Sequence, residues 1–95
     1  MRTLIFGGSG LIGSEVVRFF NTCGVDVFAP SREECDVSRP KQVSETVERY
    51  QPSVVVMANG RTGGLQENLD RPASLFLDNL EQITGSFRAL VDTSV

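Results

Sequence analysis

Ninety-five residues with 40% apolar side chains make one globular domain at most, with no low-complexity segment and no internal repeat. Nine basic against twelve acidic residues, a net charge of -3 and no basic cluster argue weakly against a nucleic-acid-binding surface. No apolar run approaches the ~20 residues of a membrane span, and with two cysteines outside any C-x-x-C pair and no histidine, a metal site is not expected.

The chain opens on a short continuous apolar run over residues 3–6, as in a strand buried on both faces. Only four residues separate Met1-Arg2 from the first glycine, too few for a secretory signal, so a cytoplasmic protein is expected, with Cys23 and Cys35 as reduced thiols. Leu11, Ile12, Val16, Val17, Phe19 and Phe20 then follow at helical spacing, and Gly24 suits the left-handed position past the helix end. Residues 25–29 predict a second strand, closed by Pro30. The short helical crossover makes the two strands parallel.

A brief third strand is expected over residues 34–37. Ser38 is placed to cap a new helix with Pro40 in its first turn, and Val43, Val47 and Tyr50 share one face of it. Gln51-Pro52 stops that helix, and residues 54–58 are the strongest strand pattern in the chain. A loop is expected over 59–71, carrying Gly60, Gly63 and Gly64. Asp70 and Pro72 then start a long helix with an apolar stripe of Phe76, Leu80, Ile83, Phe87 and Leu90. Strands alternating with helices predict an α/β fold of Rossmann-like, three-layer form, its partial parallel sheet in the order 3-2-1-4 with helices on both faces.

The most informative stretch is Gly7-Gly8-Ser9-Gly10-Leu11-Ile12-Gly13. A strand enters it and a helix leaves it, which is the order a nucleotide-phosphate site needs. Gly7 permits the tight turn, Gly10 lets a pyrophosphate approach the backbone, and Gly13 brings the helix close to the sheet. Ser9 adds a hydroxyl. No Gly-Lys-Ser/Thr follows, so a mononucleotide loop is a poor match. About 20 positions beyond the turn stand Ser31 and Arg32 rather than a carboxylate, a pair suited to the 2′-phosphate of NADP, with NAD as the other possibility. Arg32 also reads as a solvated loop cation, and Asp36 as a cap for the helix after Ser38.

With these pieces placed, nearly the whole chain resembles the extended short-chain dehydrogenase/reductases of the epimerase/dehydratase type, and among them the GDP-L-fucose synthases. The resemblance rests on the glycine turn, on Arg32-Glu33-Glu34-Cys35-Asp36-Val37, on Pro52, and on Gly63-Gly64-Leu65 with Asn68, Phe76 and Asn79. It implies that Gly7, Ser9, Gly10, Leu11, Ile12 and Gly13 hold a pyrophosphate and that Arg32 meets the adenosine ribose phosphate. It also implies that Asp36 and Val37 line the adenine pocket, that Ala58, Asn59 and Gly60 pass under the ribose, and that Asn79 fixes the long helix against the neighbouring loop. Phe6 and Asn59-Gly60 depart from the usual residues of that family at their positions.

The family's chemistry uses a serine and a tyrosine with a lysine four residues later. Here the single tyrosine, Tyr50, is followed at that distance by Val54, and the single lysine is Lys41. The resemblance therefore implies the NADP-holding N-terminal half of a nucleotide-sugar reductase or epimerase, cut before a fifth strand. No catalytic residue of its own is expected. A dinucleotide-binding or redox-sensing module and a fold without a ligand remain as alternatives. An apolar free edge on strand 54–58 predicts a homodimer through that edge.

Overall fold

The structure is a computed structural model, and it describes residues 1–60, 65–91, 93 and 95. The Gly63-Gly64 pair lies outside the described residues. Seven elements follow in chain order: β1 (Arg2–Phe6), α1 (Leu11–Thr22), β2 (Asp26–Phe28), α2 (Pro40–Tyr50), β3 (Val54–Met57), α3 (Leu65–Asp70) and α4 (Pro72–Val91).

The three strands form one parallel sheet in the order β2-β1-β3. Thr3 pairs with Val27 on one side and with Val54 on the other, so β1 is the central strand. Two further backbone bonds lengthen its pairing with β3: Ser53 N–H donates to Arg2 O at 2.8 Å, and Ala58 N–H to Phe6 O at 2.9 Å. A central parallel strand is covered on both faces, which is why residues 3–6 are all buried and read as an unbroken apolar run.

Alternation along β1 divides the core. Leu4 and Phe6 face α2 and α4 and cluster with Val43, Val47 and Cys35, against Phe28, Val37, Val55, Met57, Ala89 and Leu90. Thr3 and Ile5 point to the opposite face, where α1 packs on β1 and β2. The helices thus lie on both faces, as the alternating pattern predicts.

The helix ends follow local chemistry. Past Thr22 the chain closes with Val25 N–H on Phe20 O at 3.1 Å and Gly24 N–H on Asn21 O at 3.2 Å, with Gly24 at φ +73°. Helix α2 begins with Pro40 and ends at Gln51, which takes the left-handed conformation before the buried Pro52.

Four expectations need correction. Residues 34–37 form turns instead of a third strand, because their backbone amides are engaged locally. Glu34 and Cys35 N–H both donate to Ser31 O, and Asp36 N–H donates to Gln42 Oε1 at 2.8 Å. Ser38 does not cap α2; Arg39 holds that position and makes no side-chain cap bond, while the Ser38 hydroxyl turns back to Asp36. The expected loop contains the short helix α3.

Finally, the apolar stripe of α4 is not its packed face. Phe76, Leu80, Ile83 and Phe87 are exposed; the buried residues of the helix are Leu75 and Ser86, and it packs on α2 with Ala89 and Leu90 against the core cluster. Among the described residues no helix is long and apolar enough to cross a membrane.

Candidate functional site

The sheet delivers its glycine turn to the C-terminal edge, where β2 lies to one side of β1 and β3 to the other. In open parallel sheets the crevice at such a switch point receives ligands. Gly7 stands at φ +81°, and a Cβ there would lie 2.5 Å from Asn59 N, so the exit of β3 passes directly over it. A Cβ on Gly13 would lie 1.8 Å from Gly7 O. The turn and the first turn of α1 are therefore pressed together at van der Waals limits. Gly10 N–H donates to Gly7 O at 3.1 Å and closes the turn.

Gly10 also stands at the N-cap of α1 and offers no side-chain cap. The first-turn amides of Leu11, Ile12 and Gly13 thus have no intrahelical acceptor, and the helix dipole adds positive potential at the same place. A tight backbone turn with free donors is the arrangement that receives a phosphate.

A cavity of about 460 Å³ opens in front of this turn. Gly7, Ser9 and Gly10 form one end of its lining, Arg32, Asp36 and Val37 another, and Ala58, Asn59 and Gly60 a third. Sequence reasoning placed these nine residues at a single site, and the fold brings them to one cavity. Four others stand elsewhere. Leu11 and Ile12 are 87% and 71% exposed with their side chains outside it, Gly13 is buried beneath the turn, and Ser31 is used in the 31–35 turn. For the first three, only backbone donors could serve a ligand.

Charge at the cavity is arranged by the 36–39 turn. Asp36 Oδ1 accepts from Ser38 Oγ at 2.7 Å and from Ser38 N–H at 3.0 Å, and Oδ2 lies 3.7 Å from Arg39 Nε. The Ser38 bonds, with Arg32 and Arg39 nearby, hold the Asp36 carboxyl below the usual range, so it stays ionised. The carboxylate organises its own turn before it meets any ligand. Arg32 is exposed at the rim and enters no ion pair among the described residues. Beneath the loop, burial pushes the Cys35 thiol up, partly offset by a hydrogen bond to Thr46. It is a packing group of the floor, and both cysteines are free.

The fold also removes Tyr50 from the site. Its ring lies under the Arg2 guanidinium, 4.1 Å from the ring centroid, and packs on Phe28, with its hydroxyl 3.5 Å from Asp26 Oδ1. Arg2 and Asp26 mark the beginning of β1 and β2. The glycine turn lies at the other end of the strand, roughly 16 Å away at ~3.3 Å per residue.

Sequence reading missed Pro30, Cys35, Ser38 and Gln82, all of which line the cavity. The first three flank residues already singled out. Gln82 comes from α4, and a lone amide on a helix carries no spacing signal. Asn79, expected to fix α4 against the loop, has its Oδ1 3.2 Å from where a Cβ on Gly60 would lie.

Comparison with known proteins agrees with this geometry. The chain is 31% identical over 98 residues to the GDP-L-fucose synthase of Azorhizobium caulinodans, covering 99% of this chain and 31% of that protein. It is 40% identical over 67 residues to the dTDP-4-dehydrorhamnose reductase of Salmonella typhimurium, covering 65% of this chain and 22% of the relative. The solved GDP-L-fucose synthetase of Naegleria fowleri bound to NADP superposes with a TM-score of 0.75 at 23% identity, over 99% of this chain and 29% of that one. The chain thus spans about a third of the length of the curated relatives that it matches along nearly its whole length. The family profile described as the RmlD substrate binding domain matches residues 1–62, from β1 through β3 and the residues that close the cavity, and the chain belongs to that family.

Proposed function

We propose that these 95 residues hold the NADP(H) of a nucleotide-sugar reductase, with the diphosphate on the glycine turn and the 2′-phosphate at Arg32. The observation that carries the reading is the cradle at Gly7, Gly10 and Gly13: a backbone approach with first-turn amides free of helix bonds, opening onto a cavity that ends at Arg32, which has no ion pair among the described residues. The named activities of the relatives support it, as do NADP-bound relatives of the same fold. NADPH supplies the hydride in such chemistry. This chain's own residues bind and orient it, and no Tyr-x-x-x-Lys pair is present among the 95 to move the proton. Reduction of a GDP- or dTDP-linked keto sugar is assigned to the intact protein, and no turnover is expected from these residues alone.

Calorimetry on the purified chain tests this. NADPH should bind more tightly than NADH, and Arg32→Ala should weaken NADPH about tenfold while leaving NADH unchanged, the loss expected for one charge-assisted hydrogen bond. Equal affinity of the parent chain for NADPH and NADH would remove Arg32 from the site, and no binding of either would overturn the reading.

Association of two copies through the 54–58 edge belongs to the same proposal. Among the described residues the outer edge of β3 has no partner strand, and Val54 on it is exposed. Unpaired edges of this kind recruit other chains. Light scattering at high concentration should return the mass of a dimer, and Val54→Lys should return a monomer; a clean monomer in the parent chain rules the dimer out.

A further inference from the structure

Helix α4 contributes one described side chain to the cavity wall, Gln82. Its Oε1 accepts from Asn59 Nδ2 at 3.2 Å, a bond that joins the exit of β3 to α4 across 23 residues of chain. Asn59 Oδ1 is buried without a partner among the described residues. Turning that amide over would bury an unpaired N–H donor instead, which folded proteins tolerate less well than an unpaired oxygen. The bond therefore has a fixed direction: Asn59 donates and Gln82 accepts. Gln82 Nε2 has no acceptor among the described residues, and one lone pair of Oε1 is left over.

Gln82 also borders a smaller cleft with Ser38, Asp78 and Glu81, so it faces the 36–38 turn across the cavity mouth. The two walls differ in what they have to offer. On the turn, the Asp36 carboxylate offers acceptors alone, with Oδ1 already taking both Ser38 bonds. On α4, a carboxamide held by Asn59 presents a donor and an acceptor side by side. That pair matches the adjacent amine and ring nitrogen of adenine, which glutamine and asparagine bind in bidentate fashion.

Resting on the dinucleotide reading above, we infer that Gln82 is the residue that selects adenine at this site, with Asn59 as the positioning residue that sets the direction of its amide. Hypoxanthine carries an oxygen where adenine carries the amine. It would place that oxygen against Gln82 Oε1 and be refused.

The test is a set of binding titrations with NADPH and with its analogue bearing hypoxanthine in place of adenine. The parent chain should prefer NADPH about tenfold. Gln82→Leu should cut that preference to about twofold or less. Gln82→Met covers the case in which the leucine variant fails to fold. It keeps an unbranched side chain of similar length, loses both donor and acceptor, and should also lose most of the preference. Asn59→Ala should narrow the preference while leaving the discrimination between NADPH and NADH untouched, a pattern that general loosening of the fold would not produce. Binding of NADPH without any base preference, or full preference retained in both Gln82 variants, overturns the assignment. Failure of the parent chain to bind NADPH at all overturns the dinucleotide reading on which the assignment rests.

Discussion

Gly13→Ala is expected to abolish dinucleotide binding and to destabilise the chain by about 3 kcal/mol, the upper end of the range for overpacking a closed site. The added Cβ would lie 1.8 Å from Gly7 O and 2.6 Å from Gly7 C, both backbone atoms that no rotamer change can move aside. Either α1 shifts away from the sheet or the turn opens, and both movements take apart the phosphate cradle. Gly10→Ala supplies the contrast. Its Cβ would meet Gly7 O at 3.4 Å, an ordinary contact on an exposed position, so the fold should persist while the new methyl group stands where a diphosphate would lie. Denaturant melts and NADPH titrations on both variants separate the two functions of the turn. Gly13→Ala should lose stability and binding together, and Gly10→Ala binding alone. A Gly13→Ala chain with the stability of the parent would mean that α1 does not seat on the turn as described.

The difference between these glycines bears on what a sequence can convey. The glycine turn was legible because a steric demand admits one residue type and so leaves a mark at fixed spacing. The central strand was legible because burial on both faces forces an unbroken apolar run. The third strand was misread for the opposite reason. Whether residues 34–37 pair with β2 depends on Ser31, Glu34 and Gln42 competing for the same backbone amides. Ser31 Oγ accepts from Glu34 N–H and Gln42 Oε1 from Asp36 N–H, while Glu34 Oε1 accepts from Ser31 N–H and closes the turn, contacts whose outcome no periodicity records. At the cavity, residues adjoining strand ends were found because topology places strand ends together. Gln82 was not, because its role depends on which face of α4 turns inward, and the apolar pattern of that helix points to the other face.

That helix supplies the second large prediction, since it pits apolar pattern against burial in one residue type. Phe6→Ala is expected to cost about 3–5 kcal/mol, the range for emptying a phenylalanine site in a packed core. Phe76→Ala should fall within about 0.5 kcal/mol of the parent chain, as surface substitutions do. Phe6 is 1% exposed, sits among Leu4, Val43 and Val47, and also lines the cavity. Phe76 is 65% exposed on the same strongly apolar chain. A domain of this size has a total stability of order 5–15 kcal/mol, so the first variant should be largely unfolded or melt at a sharply lower denaturant concentration, and its binding should fall with it. Melts repeated across protein concentration make the comparison decisive for α4. If Phe76→Ala is neutral at every concentration, the face of Phe76, Leu80, Ile83 and Phe87 contributes nothing to this fold. If its cost grows with concentration, that face is covered by a second copy, and the association runs through α4 instead of the β3 edge. With Phe76→Ala neutral, two phenylalanines indistinguishable by hydropathy differ by several kcal/mol solely because α2 and α4 close over Phe6 and nothing among the described residues closes over Phe76.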